Sequence, residues 1–307
     1  MKSVKFKNRN WESAAILQFP NDFDDSKTYP AIVCAHPISS CKEQTAGNIY
    51  GKALAEAGFI TLAFDASFQG ESGGEPRFLE DPAARIDDFR YAADYLTTLP
   101  YVDNNRIGVL GVCGGGGYAV SAAMTERRYK AIATVVAANY GRILREGDLT
   151  PDAAIKALEA IAAQRTAEAN GAEPFLTSYI PVDKEALAKT GITDIDIVEA
   201  VDYYTTKRGQ HPNSPNKLLF SGLEPAFGFD AFNLAEHLLT QPLYIVIGDK
   251  AGAFGSHRDG FELFRKAGST KKTLQVVSGA SHYDLYDQPK PVAEALEKII
   301  PFFKENL

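Results

Sequence analysis

Cysteine is scarce in this chain of 307 residues: Cys34, Cys41 and Cys113 are the only three. An odd number, with no Cys-x-x-Cys pair and no Cys/His metal spacing, points away from a disulfide framework and from a structural zinc motif and leaves reduced thiols as the expectation. Apolar runs are short, and none approaches the roughly 20 residues of a membrane-spanning helix. The opening Met1-Lys2-Ser3-Val4-Lys5-Phe6-Lys7 lacks the apolar centre of a secretory signal. Positive charge is in deficit too: 32 Lys and Arg against 39 Asp and Glu give a net charge of −7. With no basic stripe, neither nucleic acid nor an anionic membrane is the expected partner. A cytoplasmic protein that handles a small molecule is what these absences leave, and self-association into a homodimer stays open.

What is present is ordinary for a globular enzyme, with 45% hydrophobic and 23% charged residues. Residues 4 to 19 predict an antiparallel pair of strands, closed by the turn-rich Pro20-Asn21-Asp22-Phe23-Asp24-Asp25. Short apolar runs at Ala31–Ala35, Ile60–Asp65, Ala131–Ala137, Leu243–Ile247 and Thr273–Val277 predict buried strands. Helical periodicity lies between them, over Gln44–Ala57, Arg85–Leu99, Phe232–Thr240, Arg258–Ala267 and the stretch ending at Phe303. That alternation predicts a mostly parallel sheet covered on both faces, with ligands gathered at the carboxyl ends of its strands. Residues 140–228 break the rhythm and are read as an inserted helical cap, with 1–139 and 229–307 forming the core.

The sharpest signal is Arg106-Ile107-Gly108-Val109-Leu110-Gly111-Val112-Cys113-Gly114-Gly115-Gly116-Gly117-Tyr118, a thiol set among glycines at the end of an apolar strand. No Lys-Ser/Thr follows the glycines as a phosphate-binding loop requires, and their spacing is not that of a dinucleotide fingerprint. The pattern fits a nucleophile elbow, a turn so tight that only small neighbours such as Gly111 and Gly115 are tolerated. Opening a helix there would favour Cys113 as a thiolate and help to hold an oxyanion.

A thiol nucleophile needs a base, and the base needs an orienter. His282, in Ser278-Gly279-Ala280-Ser281-His282, follows the last predicted strand, and Asp249 follows Gly248 at the end of the strand before it. The chain order is therefore Cys, Asp, His. Asn139 and Asp284 are alternative braces for the histidine, and Asp259 reads as a helix start. His211, His237 and His257 read as cap or surface positions without metal-ligand spacing. For the oxyanion, Gly114 supplies one N–H. Because Pro37 has none, the second is expected from Ile38 or Ser39, with His36 bracing the loop.

These residues resemble the α/β-hydrolase superfamily, and within it the dienelactone-hydrolase-like branch that carries cysteine in the elbow. The resemblance rests on His36-Pro37 with Lys42-Glu43-Gln44, on Asp65 with Gly70-Glu71-Ser72-Gly73-Gly74, on the Cys113 elbow and on Gly279-Ala280-Ser281-His282. It implies an α/β-hydrolase fold, a mostly parallel eight-stranded sheet flanked by helices with the cap inserted. It also implies cleavage of an ester, lactone or thioester through an acyl-enzyme, with a cysteine, histidine and aspartate triad and no cofactor or metal. Two places depart from the pattern: Ala251 and Gly252 stand where many relatives carry the acid, and His36-Pro37 stands where many have His-Gly. Acyl transfer by the same groups, and a non-catalytic descendant that binds a ligand or senses oxidants through Cys113, are the alternative readings.

Overall fold

Residues 1–146 and 151–307 are described by a computed structural model. Among the described residues ten strands form, and eight make one sheet: β1 (Lys2–Asn8), β2 (Trp11–Gln18), β3 (Tyr29–Ala35), β4 (Ile60–Phe64), β5 (Val102–Val112), β6 (Tyr129–Val135), β9 (Leu243–Gly248) and β10 (Lys272–Val277). Their spatial order is β1-β2-β4-β3-β5-β6-β9-β10. Within this sheet only the β1–β2 and β2–β4 pairings are antiparallel. The remaining pairings run parallel, as buried apolar strands joined through helices must. This is the α/β-hydrolase sheet that the resemblance implied. β7 (Leu176–Thr177) and β8 (Leu218–Leu219) make a separate two-stranded ribbon.

Register decides where chemistry can gather. β3 and β5 are neighbours, with Ala35 opposite Gly111, so the loop leaving β3 and the turn leaving β5 emerge side by side. β9 and β10 are neighbours as well, with Gly248 opposite Val277, which puts the loops that follow them at the same end of the sheet. The strand order reverses between β3 and β5, where open parallel sheets hold their ligands.

Helices cover both faces. The one over Pro82–Thr97 starts from an N-cap Asp81 that accepts the Ala83 and Ala84 N–H groups, with proline in its first turn. Its Phe89, Ala92, Ala93 and Leu96 join the core on one face of the sheet. On the other face Phe303, from the terminal helix Pro289–Asn306, packs with Phe59 and with Cys34, which is a core residue of β3. The helix expected over Gln44–Ala57 opens as a wider π turn, Thr45–Gly51, before becoming α-helical at Lys52–Glu56. There Gln18 Nε2 donates to the Gly47 carbonyl at 2.8 Å. The helix expected over Phe232–Thr240 shrinks to Ala235–Leu238, because Leu234 adopts a left-handed conformation (φ 65°) immediately before it.

Within 140–228, residues 147–150 lie outside the described part. The rest carries helices Tyr140–Glu146, Pro151–Ala169, Lys184–Thr190, Ile195–Thr205 and Glu224–Gly228. Ala200, Val201, Tyr203 and Tyr204 from this segment pack into the same cluster as Cys113. No described helix is long and apolar enough to cross a membrane.

Candidate active site

Cys113 sits between the end of β5 and the helix Gly114–Thr125, with φ 53° and ψ −127°. A non-glycine residue held at positive φ costs on the order of 1–3 kcal/mol, which the surrounding bonds must offset. The Cys113 N–H donates to the Val135 carbonyl of β6, and its own carbonyl accepts from Gly116 and Ala138. Glycine is required on either side by space. A Cβ on Gly111 would lie 2.4 Å from the Gly115 oxygen, and one on Gly115 would lie 2.4 Å from the His36 oxygen.

The β3 loop closes over the elbow. A Cβ on Gly114 would come within 3.4 Å of the Ile38 nitrogen. Among the described residues neither the Ile38 nor the Gly114 N–H is committed to a loop or side-chain acceptor, and the Gly114 N–H faces the Cys113 sulfur. His36 braces this loop. Its Nε2 accepts the Ala66 N–H at 3.0 Å, which leaves Nδ1–H to donate to the Pro37 carbonyl at 2.7 Å. Burial, together with the charge of Arg85, holds His36 well below the usual histidine range, so it is a neutral strut. Arg85 Nη2 also donates to the His36 carbonyl at 3.0 Å. Lys42 ties the loop to the one after β4, through Asp65 at 2.8 Å and Glu71 at 2.6 Å.

His282 lies at the same end of the sheet, 2% exposed, and its partners differ from the expectation. Its Nδ1 is 2.9 Å from Ser256 Oγ and its Nε2 is 3.2 Å from the Tyr286 hydroxyl. Asp249 does not touch it. That carboxylate accepts from Ser278 Oγ and the Gly279 N–H, at the exposed turn after β10. The reason is the path of the chain: Asp249 is exposed, and the segment after it comes back to the imidazole only at Phe254 and Ser256. Asn139, Asp259 and Asp284 are engaged elsewhere. Asn139 Nδ2 holds Asp230, Asp259 pairs with Arg142, and Asp284 accepts from Ser281 and Lys250.

The loop that delivers Ser256 is pinned from two sides. Asp194 accepts the Ala253 N–H at 3.1 Å, and Asp196, in the first turn of helix Ile195–Thr205, accepts the Phe254 N–H at 2.9 Å. From the other side Arg142 donates to the Phe254 carbonyl and to both oxygens of Asp259. The Phe254 ring then packs against His282, with centroids 5.5 Å apart.

Burial sets the protonation states. It pushes the Cys113 thiol up to about 11, against a smaller opposing pull from Tyr286, whose hydroxyl faces the sulfur, and from the Gly114 N–H. It pushes His282 down to about 3. Sulfur and imidazole thus rest as thiol and neutral ring, with Tyr286 beside both, in place of the thiolate expected from the helix N-terminus alone. Tyr286, Ser256 and Asp196 were absent from the sequence-based candidates. For Tyr286 a signal existed, since it stands one helical turn after His282.

An apolar cavity of about 320 Å³ opens nearby, lined by residues that include Tyr140, Leu144, Tyr179, Leu218, Phe220 and Phe254. Tyr179 stacks on Phe254 with centroids 5.7 Å apart, and Phe254 in turn packs against His282, so this pair lies between the cavity and the imidazole.

Comparison with known proteins bears on the fold and the family. Over 99% of its length the chain is 44% identical to the uncharacterized protein YcjY of Escherichia coli K12, of which the match covers 98%. The crystal structure of the hypothetical protein PA2218 from Pseudomonas aeruginosa superposes with a TM-score of 0.90 at 32% identity, covering 100% of this chain and 93% of that one. Thiohydrolase aneE of Aspergillus aculeatus is 32% identical over 157 residues, 49% of this chain and 48% of that protein. Residues 46–295 match the model of the Alpha/beta hydrolase family. On that match, which spans most of the sheet and the whole elbow, the chain belongs to the alpha/beta hydrolase family.

Proposed function

We propose that the protein is a dienelactone-hydrolase-like enzyme that cleaves a carboxylic ester, lactone or thioester through an acyl group carried on Cys113. The observation that supports this best is the strained backbone of Cys113 beside two N–H groups, Ile38 and Gly114, that among the described residues are not committed to a loop or side-chain oxygen. Donors preorganised in this way stabilise charge that develops on a carbonyl oxygen.

With Nδ1–H donating to Ser256 Oγ, His282 presents its Nε2 lone pair to Tyr286. As the sulfur attacks, the thiol proton passes to the Tyr286 oxygen while the tyrosine proton passes to Nε2. The S–C bond forms, and the carbonyl electron pair moves onto oxygen under the Ile38 and Gly114 N–H groups. Collapse breaks the bond to the leaving oxygen or sulfur, which takes the proton back from the imidazolium. Water, deprotonated by His282, then cleaves the thioester and restores the thiol. The low basicity of the buried ring keeps it neutral, and so able to accept a proton, at pH values far below 7.

The apolar cavity beyond Tyr179 and Phe254 suits a hydrophobic acyl or lactone ring. Thioester cleavage is the version nearest to the thiohydrolase relative. Intact-mass analysis across a panel of p-nitrophenyl esters, acyl thioesters and lactones tests the reading. Wild type should gain one acyl mass and release acid, whereas Cys113→Ala should do neither. Turnover undiminished in Cys113→Ala, or no acylation of wild type by any member of the panel, would overturn it.

A further inference from the structure

The loop after β3 carries Cys41 and Glu43, and residues 209–214 cross directly over it. Gln44 Nε2 donates to the Gly209 carbonyl at 2.5 Å and Ser214 Oγ to the Ser39 carbonyl at 2.6 Å. Within this junction Cys41 Sγ lies 3.4 Å from His211 Nδ1, and Glu43 Oε2 lies 3.9 Å from the same nitrogen. All three donor atoms fall within 4.8 Å of one another, and among the described residues no other trio of metal-ligating type is gathered this way. We propose that Cys41, Glu43 and His211 form a binding site for a borderline divalent cation of the zinc class, joining the β3 loop to the segment that crosses it.

Four observations carry this. Among the described residues Glu43 Oε2 is buried without a hydrogen-bond partner while Oε1 holds Lys42, so one oxygen of the carboxylate is left unmet on the side of His211, which is costly for a buried polar atom. The backbone N–H of Asn213 points at His211 Nδ1 from 3.2 Å, so Nδ1 carries the lone pair and Nε2 the proton, and the lone pair faces the thiol. Bond lengths of about 2.0–2.3 Å around tetrahedral zinc place neighbouring ligand atoms roughly 3.4–3.6 Å apart. The sulfur and nitrogen already stand at that separation, and the carboxylate oxygen, 3.9 Å from the nitrogen, lies about half an ångström beyond it. Finally, three carboxylates, Glu43, Asp65 and Glu71, share the single ammonium of Lys42, an excess of negative charge around that ammonium.

Sulfur, imidazole and carboxylate together select zinc or cobalt over magnesium or calcium, and three protein ligands leave a fourth position for water. A groove of about 310 Å³ that includes Glu43 and His211 in its lining gives a route in from solvent. On binding, the Cys41 S–H bond breaks and its proton leaves to solvent as the sulfur–metal bond forms. The Asn213 N–H contact gives way to the metal. No short spacing in the sequence could have indicated the site, since His211 lies 170 residues beyond Cys41.

Titration of the full chain with Zn²⁺ against a chromophoric chelator tests the proposal, in a Cys113→Ala background so that the candidate nucleophile does not compete and its fate does not affect the result. One equivalent should bind and raise Tm. Co²⁺ should give a near-ultraviolet thiolate charge-transfer band. Because partners one step removed from a metal already account for 10–100-fold in affinity, Cys41→Ser, Glu43→Gln and His211→Ala should each weaken Zn²⁺ by at least about tenfold. Cys41→Ser should also abolish the cobalt band. Absence of Zn²⁺ binding, absence of the band, or wild-type affinity in the three variants would overturn the proposal. Circular dichroism of the metal-free variants checks that each is folded.

Discussion

Gly115 shows how little freedom the elbow has. The position its Cβ would occupy is filled by the carbonyl oxygens of His36 and Ala35, which belong to the strand and loop that place Ile38. Gly115→Ala must therefore push the helix Gly114–Thr125 away from β3, and overpacking of a tight core costs about 1–3 kcal/mol. Denaturant unfolding should show a loss of that size, and, on the proposed function, acylation of Cys113 should fall more than stability does, because the two proposed oxyanion donors move apart. His282 gives a second prediction at this scale. Its proton affinity is depressed by folding, so the stability it contributes is present above the ordinary histidine range and is lost as the pH falls from about 6.5 toward about 3. Relative to His282→Gln, wild type should lose up to about 1.4 kcal/mol per pH unit across that window, measured by denaturant unfolding at several pH values. A constant difference between the two proteins would show that the ring is solvated.

The segment Gly252–Ser256 illustrates what could and could not be read ahead of the structure. Strands such as Ala31–Ala35 and Leu243–Ile247 were legible because continuous apolar runs have few other fates than a buried parallel sheet. Cys113 and His282 were legible because both follow such strands. The partner of His282 was not, since what meets a ring across a loop depends on where that loop is pinned. Here the pins are Asp194 and Asp196, more than fifty residues upstream, and Arg142, further still. Asp249 satisfied the rule of position at a strand end yet faces the turn after β10. Asp196 carries its own consequence. Burial pushes its carboxyl up to about 7, with smaller additions from Asp194 and Glu199. The protonated form is thus the one favoured by folding, and its contribution is lost as the pH rises from about 4 through 7. Asp196→Asn keeps an acceptor for the Phe254 N–H without the charge. Below pH 4 the two proteins should be close in stability, and above pH 7 the variant should be the more stable. A gap that does not widen between those limits in parallel urea melts would count against the assignment.

Across the whole molecule the dominant fact is enclosure: Cys113 and His282 are each 2% exposed, so no substrate reaches the sulfur without movement. Residues 209–214 rest on the β3 loop that carries Ile38, held in part by Ser214 Oγ on the Ser39 carbonyl, and their lifting is the movement expected to expose the sulfur. Opening of this kind is sub-global, since the sheet beneath stays paired, and its free energy is set only by the bonds it breaks. One buried hydrogen bond contributes about 1 kcal/mol net, which is about fivefold in an opening equilibrium. Ser214→Ala should therefore raise the rate at which Cys113 is alkylated about fivefold, read by peptide mass after a timed pulse of iodoacetamide. Ser269→Ala supplies the control. It removes a similar buried bond, Ser269 Oγ to the Leu239 carbonyl at 3.0 Å, at the opposite end of the sheet where β9 and β10 begin. If Cys113 is reached by lifting the 209–214 segment, the Ser269 variant labels at the wild-type rate. If it is reached only by global unfolding, both substitutions accelerate labelling equally, Cys34 in β3 reacts in step with Cys113, and access through this junction is refuted.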